Sequence, residues 1–227
     1  MSRLTRRVLP RAVVAAARIE APARAAARVR RALGCRGRVE LYFAFDDPCS
    51  AVAVVDQAQR LASYDVTVAV RPVVARGIAG DPAVEQKREY AIADARRLAA
   101  RSGRTLTREV PVAPEEVAFL ARWVATADTP SPALTAFCVA AATKLWMSLD
   151  GDGAIDPDGY AALWRAAFDG AGPPPLGDAD PVARNERRMA RRKMYDTPAA
   201  YSHGRWWFAH DRPAQIAAWL QQLGWAR

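Results

Sequence analysis

The sequence predicts an α/β domain in which a β-α-β unit and a closing β-β-α unit flank a long helical stretch. Three observations carry this. An apolar run at 39–45 and the β-rich "VTVAVR" at 66–71 enclose one helical pattern. Prolines recur at helix-entry spacing through the middle of the chain. Near the end, "PAAYSHGRWWFAH" places two short β-rich pieces around His203-Gly204-Arg205, and a helical segment follows.

Each element has a local reason. Residues 39–45 contain no turn former and read as a buried strand. Asp47 followed by Pro48 is a helix entry, with the carboxylate as cap and proline in the first turn. The helix is expected over 48–63, with Val52, Val55, Ala58, Gln59 and Ala62 at helical spacing. A strand-helix-strand unit makes the two strands parallel. Helices are expected at about 83–101, 114–127, 132–148, 157–168 and 180–194. Pro114, Pro132, Pro157 and Pro181 stand where first turns start. "GPPPLG" is a stiff connector, and a last helix is expected at 211–223.

Composition bounds the function. With 227 residues and 51% hydrophobic content, the chain can bury a core as one domain with an insertion at about 80–190. Its net charge of +9 is local: residues 1–38 hold eleven arginines and the single acid Glu20, leaving the remainder near −1. Residues 1–37 are thus a basic N-terminal extension on a domain spanning 38–227. Arg11 and Arg18 interrupt its apolar stretch, against a secretory signal. It reads either as a solvated helix or as an attachment to an anionic surface or partner. No basic-aromatic interleaving suggests a specific nucleic-acid reader. Cys35, Cys49 and Cys138 form neither a disulfide framework nor a zinc site, and His203 and His210 are too few for a histidine metal cluster. A cytoplasmic location is expected, with peripheral membrane attachment through the arm as its functional variant. A homodimer is left open.

Other features have plain readings. "DGDGAIDPDG" has alternating acids, but Ala154 and Ile155 occupy the places of a ligand and the glycine of a calcium loop, so a turn and cap are expected. "RNERRMARRK" reads first as a solvated basic face and second as a phosphate or acidic-partner site. Of Trp206 and Trp207, one is expected to be buried.

Taken together, "VELYFAFDDPCSAVA", "VAVRPVVARGI", Lys87 and Tyr90 in "QKREYAIADARRLA", Ile155-Asp156-Pro157 and "DTPAAYSHGRWWFAHDR" resemble, in order and spacing, a known family. It is that of the 2-hydroxychromene-2-carboxylate isomerases and kappa-class glutathione transferases, relatives of the Dsb-type oxidoreductases. The likeness covers about residues 38–224. It implies a thioredoxin-like fold with an all-helical insertion, glutathione as cofactor, and a small unsaturated or aromatic substrate. It places the catalytic turn at Asp47, Cys49 and Ser50. It puts glutathione contacts at Lys87, Thr197, Pro198, His210 and Asp211, with a cis bond before Pro198 and Asp211 capping the last helix. In this reading the backbone N–H and C=O preceding Pro198 pair with the cysteinyl part of glutathione, and Lys87 reaches an anionic group.

The chain departs from the family where it matters most. Asp47 occupies the position of the catalytic serine or attacking cysteine. A carboxylate there must be protonated to donate to the sulfur, or act as a base on the thiol. Alternatively, Asp47 only caps the helix. Cys49 is either a low-pKa thiol near a helix N-terminus or a small buried filler. With no Cys-x-x-Cys, a Dsb-type redox enzyme is disfavoured. The two readings kept are a glutathione-dependent isomerase or transferase, and a non-catalytic thiol- or partner-binding protein. On sequence alone, Asp47→Ser is expected to preserve or raise activity and Asp47→Ala to lower stability.

Overall fold

The computed structural model describes residues 20–77, 80–148, 154–177 and 180–227. The elements are α1 (Ala21–Ala32), β1 (Gly37–Phe43), α2 (Pro48–Leu61), β2 (Val66–Pro72), α3 (Val84–Arg101), α4 (Pro114–Ala127), α5 (Pro132–Trp146), α6 (Pro157–Ala167), α7 (Val182–Arg191), β3 (Ala199–Ser202), β4 (Arg205–Phe208) and α8 (Pro213–Gln222). Residues 150–153 of the suspected calcium loop and the arm before Glu20 lie outside the described residues.

The four strands form one sheet in the order β2-β1-β3-β4. β1 runs parallel to β2, with Gly37 opposite Val66 and Phe43 opposite Pro72. β3 runs antiparallel to β1 and to β4. The β3–β4 link is the two-residue turn His203-Gly204, both with positive φ (47° and 88°), the conformation that a tight hairpin demands.

Expected and observed elements differ at their ends, for physical reasons. β1 lies two residues earlier than the apolar run, because the chain leaves the sheet at Ala44 and Phe45 to reach the α2 cap. α2 buries only part of the face anticipated for it: Val52 and Val55 are buried and Ala58 is half-buried, but Gln59 and Ala62 are exposed, whereas Ala51 to Val55 are all buried. Its first two turns are covered all round, lying against the sheet, α3 and α5 together. Trp206 and Trp207 are both half-buried on the edge strand β4, each packing on a different cluster.

The basic run on α7 is solvated on one side only, where Arg184, Arg187, Arg191 and Lys193 are exposed. Met189 is buried against Tyr42, Val73 and Met194 on the sheet face opposite the main core. Asn185 donates to Pro72 O at 3.0 Å. Arg192 and Arg188 turn inward to Glu40, a β1 carboxylate only 4% exposed that also accepts from Tyr42 Oη at 2.8 Å. Arg192 stacks over Tyr201 at 3.7 Å from the ring centroid. Of the six arginines and lysines in this run, two therefore neutralise a buried acid.

Within α4–α6, Phe119, Trp123, Phe137, Trp164 and Phe168 form a continuous aromatic cluster that gives the helical segment its own packing. Trp146 at the end of α5 ties the helical segment to the turn that follows β1: its indole N–H donates to Phe45 O at 2.8 Å. No helix among the described residues is long and apolar enough to cross a membrane.

Candidate functional site

The site lies where β1 gives way to α2, at the C-terminal end of the parallel strand pair. Asp47 is the N-cap of α2 and sits in extended conformation before Pro48. Its Oδ1 accepts from Cys49 N at 3.0 Å and its Oδ2 from Ser50 N at 3.2 Å. Ser50 Oγ donates to the same Oδ2 at 2.6 Å and accepts from Ala44 N at 3.2 Å, so this serine staples the turn from inside. Ser50 is 0% exposed, which keeps it from touching a ligand directly.

Opposite stands Thr197-Pro198, whose peptide bond is cis. Thr197 Oγ1 reaches Asp47 Oδ2 at 3.5 Å, which brings two segments 150 residues apart into one wall. The Thr197 N–H is not free to meet a ligand. It donates to Asp196 Oδ1 at 2.9 Å. This corrects the expectation of an open backbone donor there: a peptide-like ligand must displace the Asp196 carboxylate or use the carbonyl.

Between these walls is a cavity of about 520 Å³. α2's turn, the loop after β2, α3, the start of α4, Trp146 and the segment before β3 line it. Of the anticipated residues, Asp47, Cys49, Lys87, Thr197 and His210 line the cavity. Ser50 and Pro198 are buried and do not line it. Asp211 is among neither group: its side chain is 55% exposed and lies 3.5 Å from His210 Nε2. Nor does it cap the last helix, which starts at Pro213 after Arg212 with no side-chain cap. Tyr90 is exposed and takes a hydrogen bond from Arg97. Lys87 is present at the rim but is bound to Asp81, so its charge is already partnered.

Sequence reasoning missed the strongest electrostatic feature. Asp46, 9% exposed, forms a two-pronged pair with Arg76 from the loop after β2, at 2.9 and 2.7 Å. Both line the cavity beside Asp47. Arg76 stands within "VAVRPVVARGI", and a buried acid next to a helix cap was the only available signal for it. Trp146, the floor of the cavity, carried no local signal because its role depends on the helical segment folding back.

Burial shifts the proton affinity of both the Asp47 carboxyl and the Cys49 thiol. Desolvation pushes the Asp47 carboxyl above its ordinary value, and the Arg76 guanidinium, the Ser50 hydroxyl and the Cys49 amide pull in the opposite direction. Asp47 therefore holds a proton more firmly than a free aspartate. The Cys49 thiol is pushed up strongly, first by burial and then by the Asp47 charge. This corrects the low-pKa alternative: Cys49 is a neutral thiol here, in weak contact with Ala91 O at 3.8 Å. Cys35, Cys49 and Cys138 are all free. His210 has a buried Nδ1 without a hydrogen-bond partner among the described residues and faces the same cavity.

No family model and no curated relative matches the chain. Solved structures do resemble it, two of them as follows. One is a 2-hydroxychromene-2-carboxylate isomerase, at 16% identity and a TM-score of 0.55, covering 82% of this chain and 96% of the other. The second is a probable DsbA oxidoreductase from Streptomyces coelicolor, at 18% identity and a TM-score of 0.59, covering 83% of this chain and 90% of the other. The chain thus has the thioredoxin-like fold that these two proteins share, with a helical segment between β2 and β3.

Proposed function

We propose that this protein is a glutathione-dependent isomerase or transferase in which Asp47 is the base that takes the thiol proton. The observation that carries the reading is a buried carboxylate, raised in proton affinity, on the wall of a cavity of about 520 Å³ that Thr197 faces from the other side. A raised pKa makes Asp47 a better base than an exposed aspartate. Proton transfer also solves the charge problem at this position. Before transfer the carboxylate is negative and the thiol neutral; afterwards the acid is neutral and the sulfur negative. One negative charge is present throughout, so no carboxylate has to face a thiolate. The Asp46–Arg76 pair stays internally neutral while its guanidinium keeps a positive charge nearby.

The chemistry is then reversible addition. The sulfur bonds to an electron-poor double-bonded carbon of a small unsaturated or aromatic substrate, and the electron pair of that double bond moves onto the attached carbonyl oxygen. The former double bond rotates as a single bond. Return of the electron pair breaks the C–S bond and releases the isomer, and Asp47 returns its proton to the sulfur. If another group leaves instead, the product is a glutathione conjugate. Ile92, Val112 and Trp146 supply the apolar walls such a substrate needs.

A second reading, a non-catalytic thiol- or partner-binding protein, is favoured by one observation. Both Asp47 oxygens are already engaged in capping α2. Calorimetric titration with reduced glutathione separates the two. Binding tighter than millimolar, with proton uptake or release that disappears in Asp47→Asn, supports the enzyme. Absence of binding by the parent leaves the second reading.

A further inference from the structure

α1 is amphipathic in the reverse of the usual sense. Its side toward the domain holds Ala27, fully buried, and half-buried Ala23. Two further contacts hold that side in place. Arg31 donates to Gly224 O at 3.0 Å, and Glu20 pairs with Arg205 at 2.9 Å. The side toward solvent carries Pro22, Ala25, Ala26, Val29, Ala32 and Leu33, all exposed. These positions recur at three- and four-residue spacing, so they form one stripe along the helix. Val29 is 59% exposed and Leu33 is 72% exposed. Arg28 and Arg30, one residue to either side of Val29, fall on the two flanks of that stripe.

Arg30 also belongs to a second feature. With Arg36 and Arg38 it lines a cavity of about 260 Å³ at the start of β1. Asp65 partners Arg36 at 3.0 Å. Glu40 lies 3.4 Å from Arg38 but is shared with Arg188 and Arg192. Five guanidiniums around two carboxylates leave this end of the sheet strongly positive.

We infer that α1 and the adjoining arginine cavity form a docking face for an anionic phospholipid bilayer. The stripe enters the headgroup-acyl boundary, while Arg28, Arg30, Arg36 and Arg38 meet lipid phosphates. Charge complementarity and the aliphatic stripe together favour this occupant. A nucleic acid would use the arginines but leave Val29 and Leu33 in water. The face is separate from the cavity at Asp47, so the inference is independent of the proposed chemistry.

The test is co-sedimentation of the full chain with vesicles of phosphatidylcholine alone, and of phosphatidylcholine with about one-third phosphatidylglycerol. The expected result is about tenfold tighter binding to the anionic vesicles, weakened severalfold by high salt. The double variant Val29→Asp/Leu33→Asp, whose sites are exposed, is expected to lose about tenfold in vesicle affinity at unchanged melting temperature. Arg30→Glu should lose affinity for anionic vesicles only. Equal binding to both vesicle types overturns the inference, as does a double variant that binds like the parent. So does a duplex DNA probe bound as tightly as the vesicles, or a parent dimer that the double variant dissociates without any vesicle binding.

Discussion

Arg76 holds Asp46 through two hydrogen bonds, Nη1 to Oδ1 at 2.9 Å and Nη2 to Oδ2 at 2.7 Å, one residue from the carboxylate that caps α2. The pair is enclosed, with side-chain exposures of 18% and 4%. It does two jobs: it fixes the loop after β2 against the α2 turn, and it places a positive charge beside Asp47.

Removing Arg76 undoes both. Arg76→Ala leaves Asp46 buried without its counter-ion, a loss expected to cost about 3 kcal/mol. Urea unfolding at neutral pH measures it, and a loss below about 1 kcal/mol would mean that water replaces the guanidinium without penalty. The same variant removes a charge that lowers the Asp47 pKa, so Asp47 should hold its proton to higher pH than in the parent.

Substitutions of Asp47 separate cap from chemistry. Asp47→Ala deprives two backbone N–H groups and the Ser50 hydroxyl of their acceptor, and should cost about 2 kcal/mol. Asp47→Ser keeps a cap oxygen and should stay within about 0.5 kcal/mol of the parent. Sequence alone favours full activity for the serine variant. The buried carboxylate reverses that expectation: Asp47→Ser should fold normally and lose glutathione-dependent turnover, because a neutral hydroxyl cannot take the thiol proton. A serine variant as active as the parent would reduce Asp47 to a cap.

The parts of this site that were legible in the sequence are those coded locally. Asp47-Pro48 announces a helix start wherever it stands, and "YSHGRWW" announces a hairpin, since cap and turn chemistry act over a few residues. The order of motifs placed Thr197-Pro198 opposite Asp47. What escaped was set by partners distant in sequence. Arg76 looks like a loop arginine until Asp46, 30 residues earlier, is seen to be buried. Arg188 and Arg192 look like a wet basic face until Glu40 is found inside the sheet. Asp211 and Lys87 show the reverse case, residues that local motifs single out and that distant neighbours then redirect. The Asp211 side chain is 55% exposed, and Lys87, at the cavity rim, is held by Asp81.

The proton held by Asp47 gives a pH signature. Its folded pKa lies above the unfolded value of about 3.9, so the folded chain binds the proton more tightly. The associated stability is fully present below the unfolded pKa and is lost as pH rises through the folded pKa. Asp47→Asn cannot titrate and lacks this loss. The parent should therefore lose stability relative to the asparagine variant as pH climbs from about 4, and the difference should level off once Asp47 is fully ionised. Paired urea titrations across that range read it directly. A difference independent of pH, or one running the other way, would place the Asp47 pKa at or below its ordinary value and remove the reason for treating it as a base.

Gly37 opens β1 where the C-terminal segment folds back over the sheet. Asp65 N donates to Trp225 O at 2.7 Å, and Gly37 N donates to Asp65 O at 3.0 Å, so the indole is drawn down onto the strand. A methyl group on Gly37 would lie 2.8 and 2.9 Å from two Trp225 ring carbons and 3.0 Å from Val66 Cγ1. The ring is 1% exposed and has no room to retreat without moving its neighbours. Backbone strain is not involved, because the φ of Gly37 lies outside the positive range. The cost is overpacking alone, and Gly37→Ala is expected to lower stability by about 2 kcal/mol. Loss of the ring should relieve the clash, so Trp225→Leu and Gly37→Ala together should cost less than the sum of the two single changes, as groups in direct contact do. A double-mutant cycle by thermal unfolding tests this. Additive losses would show that Trp225 does not rest on Gly37 in solution.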